Sequence, residues 1–93
     1  MSTSGDLAAG MTADDVLAVV TDVLAVVCGV DAATLSAQTD LQAIGADSLA
    51  RVELAELVEE RLTPYAPGLH VPDAELDGFR TVGEAVDYLF ARM

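Results

Sequence analysis

Apolar residues recur at helical spacing in three separate stretches of this chain, and nowhere do they alternate with polar ones over the length of a strand. Val16, Val20, Val23, Leu24 and Val27 mark one face of a first helix. Leu54 and Val58, flanked by Ala50, Leu57 and Leu62, form the stripe of a second, and Val82, Ala85, Val86, Leu89 and Phe90 that of a last. Three apolar stripes without a sheet to cover can be buried only by packing helix on helix. The boundary signals agree. Thr12 with Asp15 three residues on resembles a capping box with Asp in place of Glu, and Gly29 is placed to end that helix. Thr81 with Glu84 reads as a full capping box. Two prolines and a glycine in Thr63-Pro64-Tyr65-Ala66-Pro67-Gly68 break the second helix after Leu62. Val71 to Leu76 then reads as a short third helix, since proline is tolerated in a first turn. The expected fold is all-α: a four-helix bundle with a short third helix and a long loop between helices one and two. Residues 1–11, small, polar and aperiodic, read as a flexible N-terminal segment, leaving 12–93 as the folded domain.

Size and charge narrow the function. A chain of 93 residues makes one domain and buries only somewhat more than ~60% of the surface of its unfolded form, so a deep enzyme pocket would be hard to build. Sixteen Asp and Glu stand against four Arg and no Lys, for a formal net charge of −12. Nucleic acid and anionic membrane are poor partners for that surface, whereas basic protein patches would be steered towards it. One cysteine, Cys28, excludes an internal disulfide, agrees with a reducing compartment, and reads as a small buried hydrophobe near a helix end. The longest apolar run, Val23 to Val30, is too short to span a bilayer, and no secretory signal is visible. A cytoplasmic monomer is expected. No Cys/His cluster or calcium-loop spacing suggests a metal site.

Val30 to Ala46 is long for a loop in so small a domain, and loops of that length usually serve a purpose. Leu35, Leu41 and Ile44 are apolar anchors that would pin it to the core, so that it presents Asp47 and Ser48 at the start of the second helix. A serine there is exposed, and the free amides and positive dipole end beside it favour an attached phosphate. It lacks the marks of a nucleophile that activates itself, because the chain's single histidine, His70, lies far along and reads as a solvated loop residue. No catalytic residue is assigned; Ser48 reads as a residue that is modified. At about 100° per residue, Leu49, Val52, Glu53, Glu56, Glu59 and Glu60 share roughly a third of the second helix's circumference, opposite Leu54 and Val58. Two apolar residues ringed by four acids beside a modifiable serine make a docking face. Arg51 and Arg61 read as local charge partners or rim residues.

Gly45-Ala46-Asp47-Ser48-Leu49, followed by Val52-Glu53-Leu54 and Glu59-Glu60, resembles the prosthetic-group attachment site of acyl carrier proteins. The resemblance runs on through Val71-Pro72-Asp73 and Thr81-Val82 to Ala85-Val86-Asp87-Tyr88-Leu89, covering nearly everything after Met11. It implies the acyl-carrier bundle and a 4′-phosphopantetheine arm on Ser48, installed from coenzyme A by an Mg²⁺-dependent phosphopantetheinyl transferase. Asp47 matches the family's acid beside the serine. Leu49, Val52, Glu53, Glu56, Glu59 and Glu60 fall where family members meet acyltransferases, ketosynthases and other acyl-processing enzymes. The arm would hold acyl groups as thioesters, so the protein would be a carrier and a substrate of its partners. Its core would part to shelter an apolar acyl chain. Pro64 to Gly68 looks like a short insertion that bears on the placement of helix three. An Ala-rich, Lys-free chain with that insertion leans towards polyketide or other specialised-metabolite biosynthesis. A housekeeping fatty-acid carrier, a peptidyl or aminoacyl carrier and an unmodified acidic helical adaptor remain alternatives. A serine hydrolase would need a Gly-x-Ser-x-Gly elbow that is missing here.

Overall fold

The computed structural model describes residues 11–93, so the expectation for the N-terminal segment falls almost wholly outside the described residues. Among these it contains four α-helices, α1 (Ala13–Cys28), α2 (Ser48–Leu62), α3 (Asp73–Leu76) and α4 (Val82–Ala91), with a 3₁₀ turn at Ala32–Thr34 and no strands. The all-α bundle with a short third helix is the observed fold.

α1 begins as its sequence requires. The Thr12 hydroxyl accepts the Asp15 N–H at 3.2 Å, and the Asp15 carboxylate accepts the Thr12 N–H at 3.0 Å. Two of the four amides that every helix start leaves orphaned are thereby satisfied. Gly29 ends the helix at φ 69°, and the amides of Gly29 and Val30 both return to the Ala25 carbonyl. Val16, Val20, Val23 and Leu24 are fully buried, and α1 packs against both α2 and α4. It is the central helix of the bundle.

The loop from Val30 to Ala46 is more structured than its sequence suggests. Asp31 caps the 3₁₀ turn through the Ala33 amide, and Leu41 is buried while Leu35 and Ile44 pack against the core from its edge. The loop is also stitched to the approach to α4. Leu41 donates its N–H to the Arg80 carbonyl, Val82 to that of Thr39, and Gly83 to that of Ala37 at 2.8 Å. A Cβ at position 83 would sit 2.9 Å from the Ala37 oxygen, so this close approach needs glycine.

α2 buries Ala50, Leu54, Val58 and Leu62, as the stripe predicts, and Ala55 beside them, but Leu57 is 37% exposed and does not belong to it. Nor does Phe90 belong to the stripe of α4, where it is 43% exposed while Val82, Ala85, Val86 and Leu89 fill the core. The capping box expected at α4 is half made. The Thr81 hydroxyl accepts the Glu84 amide, but the Glu84 carboxylate takes the N–H of Arg80 rather than that of Thr81. α3 is a single turn that packs against α2 and is anchored by buried Val71 and Leu76. A helix so short has no stability of its own, so tertiary contacts must hold it.

Candidate functional site

Ser48 is the first residue of α2, and its side chain is exposed. The turn before it is set by Gly45 at φ 83°. Ala46 is buried and returns its N–H to Leu41, which fixes the direction of entry into the helix. Asp47 is the N-cap. Its Oδ1 accepts the Ala50 N–H at 2.9 Å and its carbonyl accepts that of Arg51. The amides of Ser48 and Leu49 have no acceptor among the described residues. The serine therefore stands where orphan N–H groups and the helix dipole favour an attached anion.

The Ser48 hydroxyl opens onto a bowl lined by Gln42, Gly45, Asp47, Arg51 and Asp77. Asp77 follows α3 directly, and its Oδ1 lies 3.2 Å from Ser48 Oγ, which donates to it. Arg51 is not the charge partner or rim residue its position suggests. It is half-buried, and its Nε donates to the Ala46 carbonyl at 2.9 Å. Its Nη1 donates to the carbonyls of Leu76 and Phe79, each at 2.6 Å. One guanidinium thus ties the loop before Ser48 to the segment on either side of Asp77. The sequence hides this arrangement, because Arg51 and Asp77 reach partners 25 to 29 positions away.

The docking candidates of α2 divide. Leu49 is 70% exposed, and Glu53, Glu56 and Glu60 are exposed with it. Val52 is half-buried against the core. Glu59 is turned to internal use: its Oε2 accepts the Val71 N–H at 2.7 Å and lies 3.4 Å from His70 Nδ1. His70, read as a solvated loop residue, is indeed exposed but stands beside that carboxylate. Eleven residues of helix at about 1.5 Å each separate Glu59 from Ser48, roughly 16 Å, so His70 is no base for that serine. Cys28 closes α1 half-buried, with its thiol pKa pushed up by burial and then by the negative charge of Asp47. It is a shielded thiol, as its apolar setting suggested.

These residues can hold a group by a covalent bond at Ser48 without gripping it. A phosphodiester there would meet helix amides and open space, with the carboxylates of Asp47 and Asp77 on its flanks. The nearby guanidinium already donates three bonds to backbone carbonyls. Exposure, space and the helix start fit an attached phosphopantetheine, and the flanking acids fit one that projects into solvent. By contrast the interior is closed: the apolar cavity between Val20, Leu54, Val58, Leu76 and Leu89 measures about 20 Å³, enough for one water.

Residues 18–89 match the family model described as a phosphopantetheine attachment site. Among curated proteins, an acyl carrier protein of Clostridium perfringens is 41% identical over 51 residues, 55% of this chain and 60% of that protein. The meromycolate extension acyl carrier proteins of Mycobacterium leprae and Mycobacterium tuberculosis are 28% identical over 80 residues, 85% of this chain and 65% of theirs. The chain therefore spans less than two thirds of the length of these relatives. No solved structure gives a significant match.

Proposed function

The chain belongs to the family defined by a phosphopantetheine attachment site, and on that footing we propose that it works as an acyl carrier protein modified at Ser48. The observation that carries the reading is the exposed Ser48 hydroxyl at the first residue of α2, on an open bowl, with Asp47 capping the helix behind it. The arm supplies a terminal thiol that holds an acyl group as a thioester. The protein's own contribution is mechanical and electrostatic. α2 fixes the attachment point, the cap at Asp47 keeps the first turn wound, and the acids at the serine discourage the arm from lying down on the surface. Cys28, half-buried and with a raised pKa, stays out of thiol chemistry.

Leu49, Glu53, Glu56 and Glu60 form the docking face, with Val52 and Glu59 at its inner edge. Its partners are enzymes with basic patches: the phosphopantetheinyl transferase first, then an acyltransferase, ketosynthase or other acyl-processing enzyme. A net charge of −12 raises their on-rates at low salt. An acyl chain would enter the interior only if the helices part, since the cavity is water-sized. Polyketide or other specialised-metabolite biosynthesis is the pathway we favour, on the Ala-rich, Lys-free composition and the Pro64–Gly68 insertion.

The test is intact mass after incubation with coenzyme A, Mg²⁺ and a broad-specificity phosphopantetheinyl transferase. One added phosphopantetheine on the wild type and none on Ser48→Ala is the expected result. A folded, previously unmodified wild type that gains nothing would leave the acidic adaptor as the better reading.

A further inference from the structure

Two spaces adjoin near the start of α2. The bowl at Ser48 is bordered by Gln42, Ala46, Asp47 and Asp77, and the interior cavity by apolar side chains that include Leu41, Leu54, Leu76 and Leu89. Gln42 follows Leu41 and Asp77 follows Leu76, so at two places a single step along the backbone leads from the cavity to the bowl. Arg51 is the one residue that borders both. It stands three positions after Ser48, on the same side of α2.

The wall between the two spaces is held by that side chain. Nε donates to the Ala46 carbonyl at 2.9 Å, on the segment leading into α2. Nη1 donates to the carbonyls of Leu76 and Phe79, each at 2.6 Å, at the end of α3 and just beyond it. Hydrogen bonds from a charged donor are roughly twice as strong as neutral ones, and a planar fork loses little entropy in making them. Displaced inward, the guanidinium would meet only apolar side chains, a costly place for a charge. Displaced outward, it would meet the carboxylates of Asp47 and Asp77 in the bowl.

We propose that Arg51 is the residue that decides which cargo this carrier shelters: while its three bonds stand, the interior is shut to the acyl group carried at Ser48. The proposal rests on the reading of Ser48 as the attachment residue. Entry runs between Ala46 and the Leu76–Phe79 segment and requires the guanidinium to leave all three carbonyls for the acids of the bowl. A cavity of about 20 Å³ gives an entering chain no room until the helices have moved apart. The cargo that Arg51 turns away is the unbranched saturated acyl chain, which has the most apolar surface to bury. Short or oxygenated acyl groups gain little from an apolar interior and stay at the surface in either arrangement.

The experiment loads full-length wild type, Arg51→Met and Arg51→Lys from acetyl-coenzyme A and, separately, from octanoyl-coenzyme A with a phosphopantetheinyl transferase, with loading checked by intact mass. Thermal midpoints and amide chemical shifts are then compared between the octanoyl and acetyl forms of the same variant, so that any stability the substitution itself removes cancels. In the wild type the two forms should agree within ~2 °C and show the same shifts at Val20, Leu54 and Leu89. In both variants the octanoyl form should melt ~4–8 °C higher than the acetyl form, with those core amides displaced. Should Arg51→Met not fold, the wild-type and Lys comparisons decide by themselves. An octanoyl wild type that is stabilised with its core amides displaced would overturn the proposal, as would folded variants that leave the octanoyl chain outside; attachment at Ser48 would stand in either case. A folded, unmodified wild type that takes neither group would overturn the attachment reading, and this inference with it.

Discussion

Replacing Arg51 with Met keeps the apolar stem that borders the interior cavity and deletes the guanidinium. Three hydrogen bonds go, to the carbonyls of Ala46, Leu76 and Phe79, at 2.9, 2.6 and 2.6 Å. Bonds involving a charged group contribute about 1.5–3 kcal/mol each. They do not simply add. Arg51 is half-buried, so water reaches part of what is released, and the side chain regains about 2 kcal/mol of rotamer freedom. The expected loss is ~2–4 kcal/mol, a large share of the stability of a small domain. Urea unfolding measures it, and amide exchange shows where it falls. If α3 is held chiefly by this side chain, exchange at Gly78 and Phe79 should accelerate more than exchange in α1. Arg51→Lys separates charge from geometry: an ammonium cannot reproduce the fork, so it should recover less than half of the loss. A loss under ~1 kcal/mol with unchanged exchange would refute the argument, as would a fully stable Lys variant, because the bonds would then not be what holds α3 to α2.

Leu54→Ala empties a buried position facing α1 and should cost ~2–4 kcal/mol by urea unfolding; a near-zero value would mean that the faces of α2 are reversed. Glu53→Lys and Glu56→Lys, both exposed, should leave the thermal midpoint almost unchanged and slow transfer from partner enzymes, most clearly at low salt; unaltered rates would remove the docking face. Gly45→Ala forces a Cβ into a backbone at φ 83° and should cost about 1–2 kcal/mol, checked by thermal unfolding, although the space around it is open. Because the folded pKa of Cys28 is raised above the ordinary 9.0, the stability it contributes is complete below that pH and lost as pH rises through the folded value. Cys28→Ala should flatten the alkaline limb of the stability profile, and iodoacetamide should label the native wild type more slowly than the unfolded chain.

What was readable in advance was local. The capping box at Thr12 and Asp15, the stop at Gly29 and the stripe of Val16, Val20, Val23 and Leu24 each involve residues a few positions apart, and each is found as read. Ser48 at a helix start is of the same kind: a glycine turn, a capping acid and an amphipathic run declare it without any tertiary contact. Leu57 and Phe90 show the limit of periodicity. Both sit at the edge of an apolar stripe, where a small rotation of the helix decides between core and water, and both are exposed.

The sequence by itself determined where the helices lie, which faces they bury and that Ser48 stands at a helix start, because these follow from spacing within one or two turns. Only the tertiary structure decided the surroundings of that serine. The path of the chain after Leu62 sets where α3 lands. Where α3 lands puts Asp77 at Ser48, turns Arg51 inward to the carbonyls of Leu76 and Phe79, and draws Glu59 to the Val71 amide. Each of these contacts spans 12 to 29 positions, and each depends on how two elements dock rather than on the pattern of either.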